Sequence, residues 1–111
     1  MDASQARYVV VLTTVPLEVD VEAFAQALVA ERLAACVNVL PPMHSVYRWQ
    51  GAIETAAERQ VVMKTCVDRV EALRERVHAR HPFAVPEFLV LPVDGGSEPY
   101  LEWIYRETRR P

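Results

Sequence analysis

The chain has 111 residues, 51% of them hydrophobic and 24% charged, with a formal net charge of −3. That length and balance describe one soluble globular domain over residues 1–111, able to bury roughly two-thirds of its unfolded surface without staples. The negative charge and the lack of a basic stripe with interleaved aromatics exclude a nucleic-acid binder, and no apolar run is long enough to cross a bilayer. The opening MDASQARY lacks the regions of a signal peptide, so the expected location is the cytoplasm and no membrane partner is expected.

Arg7 to Thr14, RYVVVLTT, is β-branched and apolar on both faces and reads as a central strand. After Pro16, Asp20 is placed to cap a helix in which Val21, Phe24, Ala25, Leu28 and Val29 recur at helical spacing. A long β-hairpin follows. Its outward strand runs from Ala35 to Gln50, interrupted by Pro41-Pro42; its tip lies near Gly51, and its return strand is strongest from Arg59 to Cys66 and weakest from Thr55 to Glu58. At about 3.3 Å per residue the outward arm spans on the order of 50 Å, less what the prolines bend away, whereas a compact domain of this length has a radius of gyration of roughly 13 Å. The end carrying Tyr47 and Trp49 therefore projects beyond its own core.

Asp68 and Glu71 have capping-box spacing ahead of a second helix, which carries Val70, Leu73 and Val77 on one face and stops at His81-Pro82. HPFAVPE, residues 81 to 87, is a stiff connector because each proline fixes its own backbone angle. Phe88 to Val93 forms a last strand, Asp94-Gly95-Gly96 turns the chain, and Ser97 is placed to cap a final helix with Leu101, Ile104 and Tyr105 on one side. Cys36 and Cys66 form no Cys-x-x-Cys pair and read as reduced core residues; Met43-His44 reads as an exposed bend, and His78 as a solvated helix residue.

Strand, helix, strand, strand, helix, strand and an appended helix make an α+β, ferredoxin-like split βαβ fold, βαββαβ plus a C-terminal helix. In it both main helices cover one face of the sheet, yet the strands are apolar on both sides, as Val9 to Leu12, Val61 to Met63 and Phe88 to Leu91 show. A second cover is required, and a closed ring of three copies supplies it and occupies the long edge strand. Lys64, interrupting VVMKTC, must snorkel to an edge or meet a carboxylate, with Glu87 the candidate partner. With Tyr47, Trp49, Tyr100 and Trp103 these two residues line a cleft between subunits in one reading; in the other, the aromatics are interface anchors. No phosphate-cradling glycine loop, nucleophile elbow or His-Glu-x-x-His is present, so no enzyme is expected.

The strings VVLTTVP (10–16), ERLAACVNVLP (31–41), SVYRWQGAIE (45–54), VVMKT (61–65) and HPFAVPEFLVLPV (81–93) resemble those of the CutA family of divalent-cation tolerance proteins over nearly the whole chain. The resemblance implies a ferredoxin-like subunit, a stable homotrimer like the PII signalling proteins, and association with copper or other divalent cations that folding does not require. It places a family metal site at the end of the first strand and just before the His-Pro step. Those positions hold Thr13, Arg80 and His81, so a cysteine and a second histidine found in some members are missing. His81 and Glu87 remain as the implied ligands; alternatively, His81 caps the second helix against its dipole. The expected function is non-enzymatic divalent-metal tolerance. The alternative is a PII-like signalling or interaction module that takes a small ligand or partner segment in the intersubunit cleft.

Overall fold

The computed structural model describes residues 5–110. Residues 1–4 of the MDASQARY segment, and Pro111, lie outside the described residues. In chain order the elements are β1 (Tyr8–Pro16), α1 (Val21–Ala30), β2 (Cys36–Val39), β3 (Met43–Trp49), β4 (Ala52–Cys66), α2 (Val70–Arg80), β5 (Leu89–Pro92) and α3 (Glu98–Glu107), with a 3₁₀ turn at Val67–Arg69 leading into α2. All strand pairs are antiparallel. β4 is the spine of the sheet: its second half lies between β1 and β2, its first half pairs with β3, and β5 closes the far side of β1. This is the expected ferredoxin-like arrangement with one helix appended. None of the helices among the described residues is long and apolar enough to cross a membrane.

Helices α1 and α2 lie on one face of the sheet, where Val11, Leu28, Val61, Met63, Leu73 and Val77 are fully buried together. Asp20 caps α1 as expected, its carboxylate accepting the Ala23 N–H at 3.2 Å. Helix α3 crosses to the other face and buries Ile104 against Tyr8, Ala35 and Cys66. It covers only that corner. Val10, Leu12, Val62, Leu89 and Leu91 share the rest of this face through their cross-strand pairing, and Leu89 remains 54% exposed.

The arm projects as its length requires. The molecule measures 47 × 27 × 23 Å with a radius of gyration of 14.9 Å. Gln50 and Gly51 both adopt positive φ, 51° and 83°, the pattern of the tight turn whose twist matches that of two antiparallel strands. Thr55 to Glu58, the weak stretch of the return strand by composition, is regular strand because β3 pairs with it residue by residue. One irregularity decides the arm's geometry. Val39 faces Val61 and Met43 faces Glu58, so the three residues Leu40, Pro41 and Pro42 stand opposite the two residues Arg59 and Gln60. That is a bulge, and it exchanges the two faces of the outward strand beyond it.

Several local expectations are corrected. Asp68 and Glu71 form no capping box: α2 has no side-chain cap, Glu71 pairs with Arg74, and Asp68 pairs with Arg109. Ser97 makes no capping hydrogen bond at the start of α3. Cys66 is buried as expected, but Cys36 is only half-buried at the outer edge, where β2 has no further strand beside it. Met43 and His44 open β3 and are not a bend.

Asp68 joins the C-terminal helix to the turn before α2. Arg109 donates to both its carboxylate oxygens, at 2.7 and 2.8 Å, and also lies 4.2 Å over the Tyr105 ring. The hydrogen bonds from Arg109 hold the Asp68 carboxyl below the usual carboxylate range. A group whose folded-state pKa is depressed stabilises the fold above its unfolded pKa, near 4, and loses that contribution as pH falls through the folded value. Because both side chains are partly exposed, the pair contributes about 0.2–1 kcal/mol. In urea titrations Asp68→Asn should therefore be less stable than the parent at pH 7, and the gap should close toward pH 2–3. A gap that persists there would remove the ion pair as its cause.

Candidate functional site

The connector from His81 to Glu87 is drawn back against the end of β1 by side chains of that strand and of β4. The Thr13 hydroxyl donates to the Glu87 carbonyl oxygen at 2.6 Å, and the Gln60 amide donates both to the Thr13 carbonyl, at 2.7 Å, and to the Glu87 carboxylate, at 2.9 Å. His81 makes the third tie. Its Nδ1 accepts the Phe83 backbone N–H at 3.1 Å, and a backbone N–H can only donate. The hydrogen of the neutral ring is therefore on Nε2, which donates to the Thr14 carbonyl at 2.6 Å. His81 is 9% exposed and bridges α2 to β1, so its ring does not cap the helix whose end it marks.

Between this connector and the base of the arm lies a cleft of about 760 Å³. Thr14, Glu58 and Gln60 form its floor, β3 supplies Met43, Ser45, Tyr47 and Trp49 as one wall, and Pro82 to Glu87 supply the other. The bulge is why Tyr47 and Trp49 belong here: it puts the odd-numbered residues of β3 on the same face as the even-numbered residues of β4. Glu58 accepts a hydrogen bond from the Ser45 hydroxyl at 2.6 Å and is 8% exposed.

The six residues expected to share one cleft fall into two groups. Tyr47, Trp49 and Glu87 meet in the cleft just described. Lys64 lies four residues up β4 from Gln60, about 13 Å along a strand, with its ammonium 5.8 Å from the Tyr100 ring centroid. Tyr100 in turn packs on Trp103, with ring centroids 5.4 Å apart. Within one chain, then, Lys64 lies on a strand flanked by β1 and β2, has the Tyr100 ring near its ammonium and has no carboxylate partner among the described residues. Glu58, Gln60 and Phe83 were not singled out from sequence. Gln60 and Glu58 continue the two-residue period of Lys64 and Val62, which is the signal that finds them.

The residues at the His-Pro step do not fit a closed divalent-metal shell. Copper(II) prefers imidazole and carboxylate ligands with free lone pairs. His81 has both nitrogens engaged, the Thr13 hydroxyl is engaged, and Arg80 adds positive charge beside them. Among the described residues no three His, Cys, Asp or Glu side chains are grouped to hold an ion. His81 therefore offers no free lone pair to a metal shared with Glu87.

A family model described as CutA1 divalent ion tolerance protein matches residues 9–107. The divalent-cation tolerance protein CutA of Thermus thermophilus is 46% identical over 99 residues, covering 89% of this chain and 96% of the relative. The crystal structure of CutA1 from Oryza sativa superposes with a TM-score of 0.89 at 41% identity, covering 95% of this chain and 96% of that one. A PII-like protein CutA from Nostoc, solved in apo form, superposes with a TM-score of 0.84 at 36% identity, covering 91% and 97%.

The two roles for His81 differ in size. Removing a buried bridge leaves the Phe83 N–H and the Thr14 carbonyl unpaired, which costs about 1–3 kcal/mol, whereas a dipole contact at a helix end is worth about 0.3–1 kcal/mol and is screened by salt. His81→Ala should lower the unfolding free energy by the larger amount, equally in low and high salt. A small, salt-sensitive loss in urea titration would return the residue to helix capping.

Proposed function

This chain belongs to the CutA1 divalent ion tolerance family, and from that premise we propose that it serves divalent-cation tolerance, copper included, as a non-enzymatic homotrimer. The assembly is supported by the half-covered sheet face, by the arm extending from the body and by the PII-like description of a structural relative. Between a metal-binding protein built on His81 and Glu87 and a PII-like module with a binding cleft, the geometry favours the module. The observation that carries this choice is the engagement of both His81 nitrogens beside a cleft lined by two carboxylates, Glu58 and Glu87, and by aromatic rings. Tyr47, Trp49, Glu58 and Glu87 form that binding site, and Lys64, Tyr100 and Trp103 belong to the surface on which neighbouring copies bear.

Native mass at low micromolar concentration and copper titration of chelator-treated protein test the two parts together. A trimeric mass is expected for the parent and for His81→Ala, with copper affinity equal in the two. A folded monomer would end the assembly argument. A tenfold loss of copper affinity in His81→Ala, about 1.4 kcal/mol, would make the histidine a ligand and restore the metal-site reading.

A further inference from the structure

We propose that the cleft between arm and connector takes an organic cation, an ammonium or guanidinium group carried on an apolar body. This rests on the reading of that cleft as the binding site and specifies its ligand. The charge argument starts from Glu58, which is 8% exposed and whose hydrogen-bond partner is the neutral Ser45 hydroxyl. Glu87, the second carboxylate of the cleft, is likewise met by a neutral group, the Gln60 amide. No Lys, Arg or His among the described residues forms an ion pair with either one. A carboxylate taken out of water without a counter-charge costs several kcal/mol, so the floor favours any positive group that reaches it and repels anions.

The walls select the kind of cation. Tyr47, Trp49 and Phe83 line the cleft and are each 44–46% exposed within one chain. Aromatic faces attract ammonium and guanidinium groups, and they bury the apolar body that carries them. A hard divalent ion gains nothing from such walls, since it needs about six or more oxygen ligands. The cleft, about 760 Å³, lies within the usual range for small-molecule sites, roughly 300–1,000 Å³.

The test is a fluorescence titration in a Trp103→Phe background, which leaves Trp49 as the single tryptophan of the chain's two. Phenethylammonium and agmatine are the cationic probes, phenylacetate and benzyl alcohol the anionic and neutral controls. A saturable response to at least one cation, with none to phenylacetate and a loss of at least about tenfold in affinity in Glu58→Gln and in Glu87→Gln, supports the proposal. Both substitutions keep a hydrogen-bonding side chain of the same size, and unchanged circular dichroism and urea midpoint certify the fold. Absence of saturation with both cations, equal binding of phenylacetate, or indifference to both substitutions overturns it. Saturable binding of benzyl alcohol or phenylacetate in preference to the cations would overturn the ligand class while leaving the cleft as a binding site. A monomeric native mass or a His81-dependent copper site would instead overturn the functional reading on its own terms.

Discussion

Side chains alternate across a strand with a period of two, so a single inserted residue redirects every side chain that follows it. The extra residue between Val39 and Met43 does this to the arm. In the register that β2 keeps with β4, the even-numbered residues of the outward strand share a face with Val62 and Lys64. Beyond the bulge the odd-numbered ones take that face, and Tyr47 and Trp49 join Glu58 and Gln60 on it. Two prolines suit the place, since neither has an N–H to leave unpaired, while the flanking Leu40 still donates to the Gln60 carbonyl at 3.0 Å. The arm's aromatic wall, and hence the cleft, depends on this insertion.

The second wall depends on a different device. A proline-rich connector has fewer backbone donors of its own, and what seats it is the Thr13 hydroxyl of β1 and the Gln60 amide of β4, both bonded to Glu87, together with its own His81 ring on the Thr14 carbonyl. Thr13, Gln60 and His81 all serve backbone carbonyls, and each is at least partly buried. Polar side chains spent in this way stabilise a specific backbone path, which explains why they make poor metal ligands: the lone pairs and protons that would bind an ion already hold the chain.

Element order, the projecting arm and the two-sided apolar sheet were legible in the sequence because each is written in local pattern: β-branched runs, helical stripes and strand length. The bulge was half legible. Pro41-Pro42 marks an interruption, but the number of residues inserted, and with it the face that Tyr47 presents, depends on pairing with a strand that comes later in the chain. The Asp68 partner was hidden for the same reason, since Arg109 is 41 positions away and the nearer Glu71 offers a plausible local motif. Lys64 and Glu87 were joined by charge complementarity alone, and the strand rise between Lys64 and Gln60 separates them. Glu58 is hard to place from sequence because Ala56, Ala57 and Glu58 are weak strand formers, although parity with Gln60 and Lys64 puts it on the same face.

The cross-strand rows of the uncovered face bear on how the proposed assembly and the proposed binding site divide it. At one end α3 seals Tyr8 and Cys66. Two rows follow that α3 does not seal, the first joining Leu91, Val10, Lys64 and Cys36, the second Leu89, Leu12, Val62 and Asn38. Beyond them lies the polar row of Thr14 and Gln60, and then Glu58 in the cleft. The apolar strip is thus bounded by a cation at one margin and by carboxylates at the other, with Lys64 and Glu58 six residues apart, about 20 Å along β4. A neighbouring copy that reached beyond these two rows would strip water from the carboxylates, at a cost that apolar contact does not repay, whereas Lys64 has the Tyr100 ring beside it. Burial is favourable over the middle rows alone, so the proposed subunit contact ends where the polar row begins, and the arm–connector cleft is left at its border.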